Sequence, residues 1–240
     1  MSTHPLPLLM LHHAGGSASY FDVLAKALPP EIRPVAVDLP GRGRRWREAP
    51  ATTMNEAVDA LLDGVAELDA PFAVFGHSLG AYVGLSLAAR LEETGAANRC
   101  VTLFASANSG PRGAVLPFDG SPLTTSDEEI FRIAAESGGG VPRTILDHPQ
   151  LRRRTADLLR ADFSISESFL AKDRQTVTEA DIVVCYGADD IFTADQLDLW
   201  RLNTTQSSQI HLFPGGHFYV EENATALAEL IARRLLAPVA

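Results

Sequence analysis

Short uninterrupted apolar runs alternate along this chain with longer stretches in which apolar residues recur every three or four positions. The first pattern predicts strands buried on both faces, and the second predicts amphipathic helices. Strands are expected at residues 7–11, 33–37, 72–75, 100–105, 182–186 and 210–213. Helices are expected near 18–28 and at 54–68, 79–93 and 223–236, with Gly95 placed to cap the third. Strands that alternate with helices imply right-handed crossovers and a mostly parallel central sheet flanked by helices, an α/β fold.

One segment departs from this rhythm. Between about 110 and 173 there is no strong strand signal. Ser126-Asp127-Glu128-Glu129 reads as a capping-box start, followed by Ile130, Ile133 and Ala134 at helical spacing, and Gly138-Gly139-Gly140 ends that helix. A second helix begins near Asp147, with Leu151, Leu158 and Leu159 expected on one face. A crossover needs only about a dozen residues, so the length favours a helical lid inserted within a single domain spanning 1–240.

Composition narrows the function classes. The 240 residues carry a formal net charge of −10, which argues against nucleic acid or an anionic membrane as the main partner. Two cysteines make no disulfide framework; Cys100 and Cys185 each lie inside an apolar run, which suits a reducing cytosol. The N-terminus lacks a basic region and a small-residue cleavage site, and no uncharged apolar run reaches about 18 residues. A cytoplasmic protein without a membrane span is expected.

The chemistry begins at Gly76-His77-Ser78-Leu79-Gly80, which follows an apolar run and opens a helix. That context makes Ser78 the nucleophile of a strand–turn–helix elbow in an α/β-hydrolase fold; the bland alternative is a small-residue turn. The turn is tight enough to require the flanking glycines. The Leu79 N–H, at a helix N-terminus, can face a developing oxyanion.

A serine hydroxyl needs a base, and the fold delivers its partners in the order serine, acid, histidine. Among seven histidines, His217 in Phe213-Pro214-Gly215-Gly216-His217-Phe218 follows the last strand and precedes the last helix. His148 and His211 fall in the insertion and within a strand, and His4 lies at the terminus, so surface or packing roles are expected there. For the acid, Gly187-Ala188-Asp189-Asp190 offers two carboxylates. The Gly-x-x-Asp spacing favours Asp190, with Asp189 as runner-up; the other is expected to serve a turn or a helix cap. The orienting carboxylate holds the imidazole in the tautomer that accepts the serine proton.

The loop His12-His13-Ala14-Gly15-Gly16-Ser17 after the first strand is expected to supply the second oxyanion donor, the Ala14 N–H, and Ser17 a helix cap. A metal site at His12-His13 is the weaker reading, because adjacent histidines on a strand face opposite sides. No metal or cofactor is expected. Leu39-Pro40-Gly41-Arg42-Gly43-Arg44 lacks the Gly-Lys-Ser/Thr ending of a phosphate loop.

In this order the motifs resemble one family, the stand-alone type II thioesterases that accompany polyketide and non-ribosomal peptide synthases. The resemblance spans nearly the whole chain: His13-Ala14-Gly15-Gly16, Leu39-Pro40-Gly41-Arg42, the Ser78 elbow, Gly140-Val141-Pro142 and Leu159-Arg160-Ala161-Asp162-Phe163 of the insertion, and the His217 loop. Ile191 stands where many members carry proline, which keeps Asp189 in play beside Asp190. The resemblance implies hydrolysis of acyl groups from the phosphopantetheine arm of an acyl or peptidyl carrier protein, in an editing role. Such carriers are acidic, so docking on an acidic enzyme needs a basic patch. Arg42, Arg44, Arg45 and Arg47 around Trp46, or Arg152, Arg153 and Arg154, would serve; each also reads as an ordinary solvated face. Rival functions are a small-molecule carboxylesterase or acyltransferase using the same residues, and a non-catalytic binding module on the same fold.

Overall fold

Six strands, β1 (Leu6–Leu11), β2 (Ile32–Val37), β3 (Phe72–His77), β4 (Cys100–Ser106), β5 (Asp181–Gly187) and β6 (Ser208–Phe213), pair in the order β2-β1-β3-β4-β5-β6. Every pairing is parallel. The computed structural model describes residues 4–68, 71–95, 100–116 and 118–237. Its α-helices are α1 (Asp22–Ala27), α2 (Met54–Ala66), α3 (Leu79–Glu93), α4 (Asp127–Glu136), α5 (Arg143–Leu146), α6 (Pro149–Lys172), α7 (Ala194–Asp198) and α8 (Ala224–Leu236).

Side chains alternate across a strand, and here both faces are covered. Leu9, Leu11, Val74, Leu103 and Val184 pack into one apolar layer with α2, α3 and the last part of α6. Leu8, Met10, Phe75, Phe104 and Val183 pack into the other with α1 and α8. Double coverage is why the inner strands β1, β3, β4 and β5 read as continuous apolar runs, whereas the edge strands β2 and β6 are only partly covered. α2 starts at a complete capping box, Thr53 accepting the Glu56 N–H while the Glu56 side chain bonds back to the Thr53 N–H. Gly95, at φ +80, follows the end of α3 and donates its N–H to the Glu92 carbonyl (2.9 Å).

The segment 18–28 is not one helix. It is a 3₁₀ turn at Ala18–Phe21 followed by α1. Ser17 holds the N-cap position, but its hydroxyl bonds Ser19 Oγ (2.9 Å), and Asp38 takes the Ala18 N–H instead (2.8 Å). A carboxylate arriving from the loop after β2 is a cap that local sequence cannot reveal.

The insertion between β4 and β5 is helical. Ser126 accepts the Glu129 N–H (3.2 Å), but Glu129 pairs with Arg132 (2.5 Å) instead of reaching back, so only half of the expected capping box forms. A short helix unread in the sequence, α5, precedes α6. Leu151 is turned to solvent and Leu158 is half-buried; Ala156, Leu159 and Phe163 form the packed stripe with Ile130, Ile133 and Ala134 of α4. Farther along α6, Ile165, Phe169 and Leu170 join the main core. One 24-residue helix thus serves two partners, and its apolar stripe is set by both.

The strand order reverses at β1. Ligands of open parallel sheets bind where the order reverses, beyond the carboxyl ends of the strands. β1 and β3 are neighbours in the sheet, with Leu11 opposite Gly76, so the loops that follow them emerge side by side. β5 and β6 pair through Gly187 and Phe213, which likewise brings the acid loop beside the histidine loop.

Candidate active site

Ser78 joins β3 to α3 at φ 55° and ψ −116°. A non-glycine residue held there costs about 1–3 kcal/mol and persists only where its surroundings impose it. They do so here from several sides. The Ser78 N–H donates to the Ser106 carbonyl (2.7 Å), and the Asn108 side-chain amide donates to the Ser78 carbonyl (2.9 Å). A Cβ on Gly76 would lie 2.2 Å from the Gly80 carbonyl oxygen, and one on Gly80 would lie 2.1 Å from that of Leu11. The glycines are therefore a packing requirement of the elbow. Leu79 is the first residue of α3, so its N–H belongs to the unsatisfied positive end of a 15-residue helix.

His217 lies in the loop between β6 and α8. Its Nδ1 is 3.1 Å from Asp190 Oδ1 and 3.3 Å from Oδ2, with the two side chains 4% and 0% exposed. Asp190 Oδ1 also accepts the Ile191 N–H (2.7 Å). Asp189 is exposed, and its backbone N–H donates to the Gly215 carbonyl (2.9 Å), linking the two loops. Of the two neighbouring carboxylates, then, Asp190 meets the imidazole and Asp189 faces solvent. With Nδ1–H donating to a carboxylate, Nε2 is left as the acceptor nitrogen.

Ser78, His217 and Ala14 line one cavity of about 130 Å³. Its roof comes from the insertion: Gly139, Gly140, Val141, Pro142, Leu159 and Phe163. Gly138, at φ +88°, lies directly on the histidine loop, and a Cβ there would fall 2.8 Å from His217 Cβ. A second cavity of about 100 Å³ meets the first at Ser78 and Ala14 and runs under Tyr82, Asn108, Leu116 and Phe192. A larger groove of about 540 Å³ follows β2 and α2, and its lining holds no serine, cysteine or histidine. Among the described residues, neither the Ala14 nor the Leu79 N–H donates to a protein acceptor.

Three further histidines surround the site as neutral bases. Burial pulls His12 and His13 down to about 4, and lowers His77 well below the ordinary histidine range. His77 bonds Ser106 Oγ (2.8 Å) and Tyr20 OH (3.2 Å), and Ser106 bonds Tyr219 OH (2.8 Å), a buried polar chain beneath His217. Burial also raises both thiols, Cys100 to about 12, which leaves them protonated and inert. Among the described residues no group of three or more His, Cys, Asp or Glu side chains is placed to hold a metal, and no helix is long and apolar enough to cross a membrane.

The arginine cluster around Trp46 is not a patch of four. Arg42 is buried against Asp162, and Arg45 pairs with Glu48 (2.5 Å), leaving Arg44 and Arg47 exposed. In the insertion, Arg152 pairs with Asp127 and Glu128, while Arg153 and Arg154 are exposed. Two residues at the site were given no role in the sequence. Asn108 holds the Ser78 carbonyl, and no local pattern marks it. Asp162 left a signal: a carboxylate three residues after Leu159 and one before Phe163, on the apolar stripe of a helix.

The thioesterase domain family matches residues 6–235. The chain belongs to that family. This thioesterase is 30% identical, over 98% of its length and 90% of the relative's, to the gramicidin S biosynthesis protein GrsT of Aneurinibacillus migulanus. It superimposes on RedJ, the thioesterase from the prodiginine biosynthetic pathway in Streptomyces coelicolor, with a TM-score of 0.82 at 30% identity, covering 97% of this chain and 87% of RedJ. The type II thioesterase BorB from the borrelidin biosynthetic cluster matches with a TM-score of 0.79 at 30% identity, covering 98% and 94%. The six-stranded parallel sheet and its flanking helices are thus an α/β-hydrolase fold, and the protein is a hydrolase of thioesters.

Proposed function

We propose that this thioesterase is a stand-alone editing enzyme of the cytoplasm, removing acyl groups from the phosphopantetheine arm of acyl or peptidyl carrier domains of a polyketide or peptide synthase. The observation that carries the reading is Ser78, strained at the elbow, in one cavity with an imidazole held by a buried carboxylate. The biosynthetic settings named for GrsT, RedJ and BorB support the carrier-bound substrate.

Ser78 Oγ attacks the thioester carbonyl while His217 Nε2 takes its proton, and Asp190 holds the ring and stabilises the imidazolium. The oxyanion is held by the N–H groups of Ala14 and Leu79. The pantetheine thiol departs, leaving acyl-Ser78, and His217 then activates water to release the acid. A thiol, with a reference pKa near ~8.5, leaves far more readily than an amine, so protonation of the leaving group is undemanding. The chain needs no cofactor of its own, since the substrate brings the pantetheine. The helical insertion, residues 110–173, acts as a lid whose helices roof the acyl site.

The test is a hydrolysis panel of carrier-bound acyl groups of increasing length, with matched small oxygen esters and Ser78→Ala as control. The wild type should prefer the carrier thioesters, and Ser78→Ala should lower turnover by about 10⁴-fold or more. Faster turnover of the oxygen esters would favour a carboxylesterase. Failure of a fluorophosphonate to label Ser78 would remove the nucleophile.

A further inference from the structure

The loop after β1 contains two consecutive peptide planes that side chains hold in place. A trans peptide points its carbonyl and its N–H in opposite directions, so anchoring one end aims the other. In the His13–Ala14 peptide, the His13 carbonyl accepts the Gly16 N–H (3.0 Å) and the His12 Nδ1–H (2.8 Å). The Leu39 N–H donates to His12 Nε2 (3.3 Å), which places the His12 proton on Nδ1. The Ala14 N–H is thereby directed away from His12 and Gly16. The next peptide is held at both ends. The Ala14 carbonyl accepts from His13 Nδ1 (2.9 Å), and the Gly15 N–H donates to Asp162 Oδ2 (2.7 Å).

Asp162 belongs to α6, in the insertion. It is wholly buried and accepts three bonds: the Gly15 N–H, and a two-pronged pair from Arg42 Nη1 (2.5 Å) and Nη2 (2.7 Å). Arg42 arrives from the loop after β2. Leu159, one turn earlier in α6, presses on the same loop, since a Cβ at Gly15 would sit 3.0 Å from Leu159 Cδ2. A buried ion pair adds little net stability over apolar residues of equal volume. What this pair does supply is a fixed acceptor at one backbone N–H beside the nucleophile.

We propose that Asp162, anchored by Arg42, is a positioning residue for catalysis: by holding the Gly15 N–H it orients the Ala14 N–H toward the oxyanion, so that the insertion helix completes the oxyanion hole. This rests on Ala14 as the oxyanion donor. Loss of an oxyanion donor costs about 10²–10³ in rate, and loss of its alignment should cost a large part of that.

The experiment compares R42M/D162N with R42M/D162L. Both lack the ion pair; the asparagine keeps an oxygen for the Gly15 N–H and the leucine does not. The readouts are the rate of fluorophosphonate labelling at Ser78, kcat and KM on a small acyl thioester, and Tm. The leucine variant should label and turn over about 10–100-fold more slowly than the asparagine variant, with KM and Tm alike in the two. Equal rates would overturn the proposal. If the leucine variant does not fold, replacing the Gly15 N–H by an ester oxygen in the otherwise native chain removes the same bond, and an unchanged labelling rate would overturn it equally. Absence of thioester hydrolysis by the wild type would sink the functional reading and leave the labelling comparison intact.

Discussion

The sheet with its covering helices and the insertion between β4 and β5 are held by different forces. α3 is buried along most of its length among strands and helices, and the sheet carries an apolar layer on each face. The insertion has one small cluster, Ile130, Ile133, Ala134, Ala156, Leu159 and Phe163. Around that cluster run ion pairs at the surface, Arg132 with Glu129 and Glu136, and a half-buried one, Arg160 with Asp127. Exposed pairs are worth about 0.2–1 kcal/mol each, whereas each buried Leu, Ile or Phe contributes about 1.5–3 kcal/mol. Ser78, His217 and Asp190 therefore stand on the part with the larger buried apolar layers, and the roof of their cavity belongs to the part with the smaller cluster. Regions of low local stability are where moving elements are found.

The sharpest test lies within the stable part, at the two neighbouring aspartates. Asp190→Asn should lower kcat by about 10³–10⁴, because the buried amide no longer fixes the tautomer or stabilises the imidazolium. Asp189→Asn, on an exposed side chain, should stay within about twofold. Steady-state kinetics on one thioester decide it, and equal losses would break the assignment.

The next effect separates the two regions directly. Leu103→Ala, wholly buried in the sheet, should cost about 2–5 kcal/mol of global unfolding free energy by urea titration. Ile133→Ala, equally buried in the insertion, should instead raise hydrogen exchange in α4 and the first half of α6 while moving the global midpoint less. Equal midpoint shifts, with exchange in α4 as slow as in α3, would mean that the insertion unfolds only with the rest.

The last test is of pH. His12 and His13 sit at about 4 in the folded protein because burial disfavours the imidazolium, and His77 is lowered for the same reason. In the unfolded chain all three return to the ordinary value near ~6.5. Between these values the unfolded state binds more protons, so this stabilisation is complete above about 6.5 and is lost as pH falls toward 4. His12 and His13 should each steepen the slope by up to about 1.4 kcal/mol per pH unit in that window, and His77 acts in the same direction. A urea midpoint that stays flat from pH 7 to 4.5 would contradict the burial of these rings.

Much of the active site was legible because it is written in local geometry. An apolar run, a glycine-flanked serine and a helical pattern can only be a tight strand-to-helix turn, and a glycine pair before a histidine after the last run marks a loop free to fold back. What stayed open was every choice between near neighbours. Asp189 and Asp190 share a turn, and only the packing of that turn against the Gly215-Gly216 loop says which carboxylate goes inward. Leu151 and Leu159 both match a helical period; the placement of α4 decides that the second is buried. Arg42 reads as a member of a surface charge run until Asp162 arrives from 120 residues away.

By itself, then, the sequence determined the alternating α/β order, the helical insertion, the serine elbow and the histidine loop, since each follows from spacing over a few residues. Tertiary structure alone decided which acid meets His217, which arginine is buried, and that Asp162 reaches the Gly15 N–H. Those depend on where the chain returns to itself, and a burial or a hydrogen bond across more than a hundred residues leaves no period in the sequence to read.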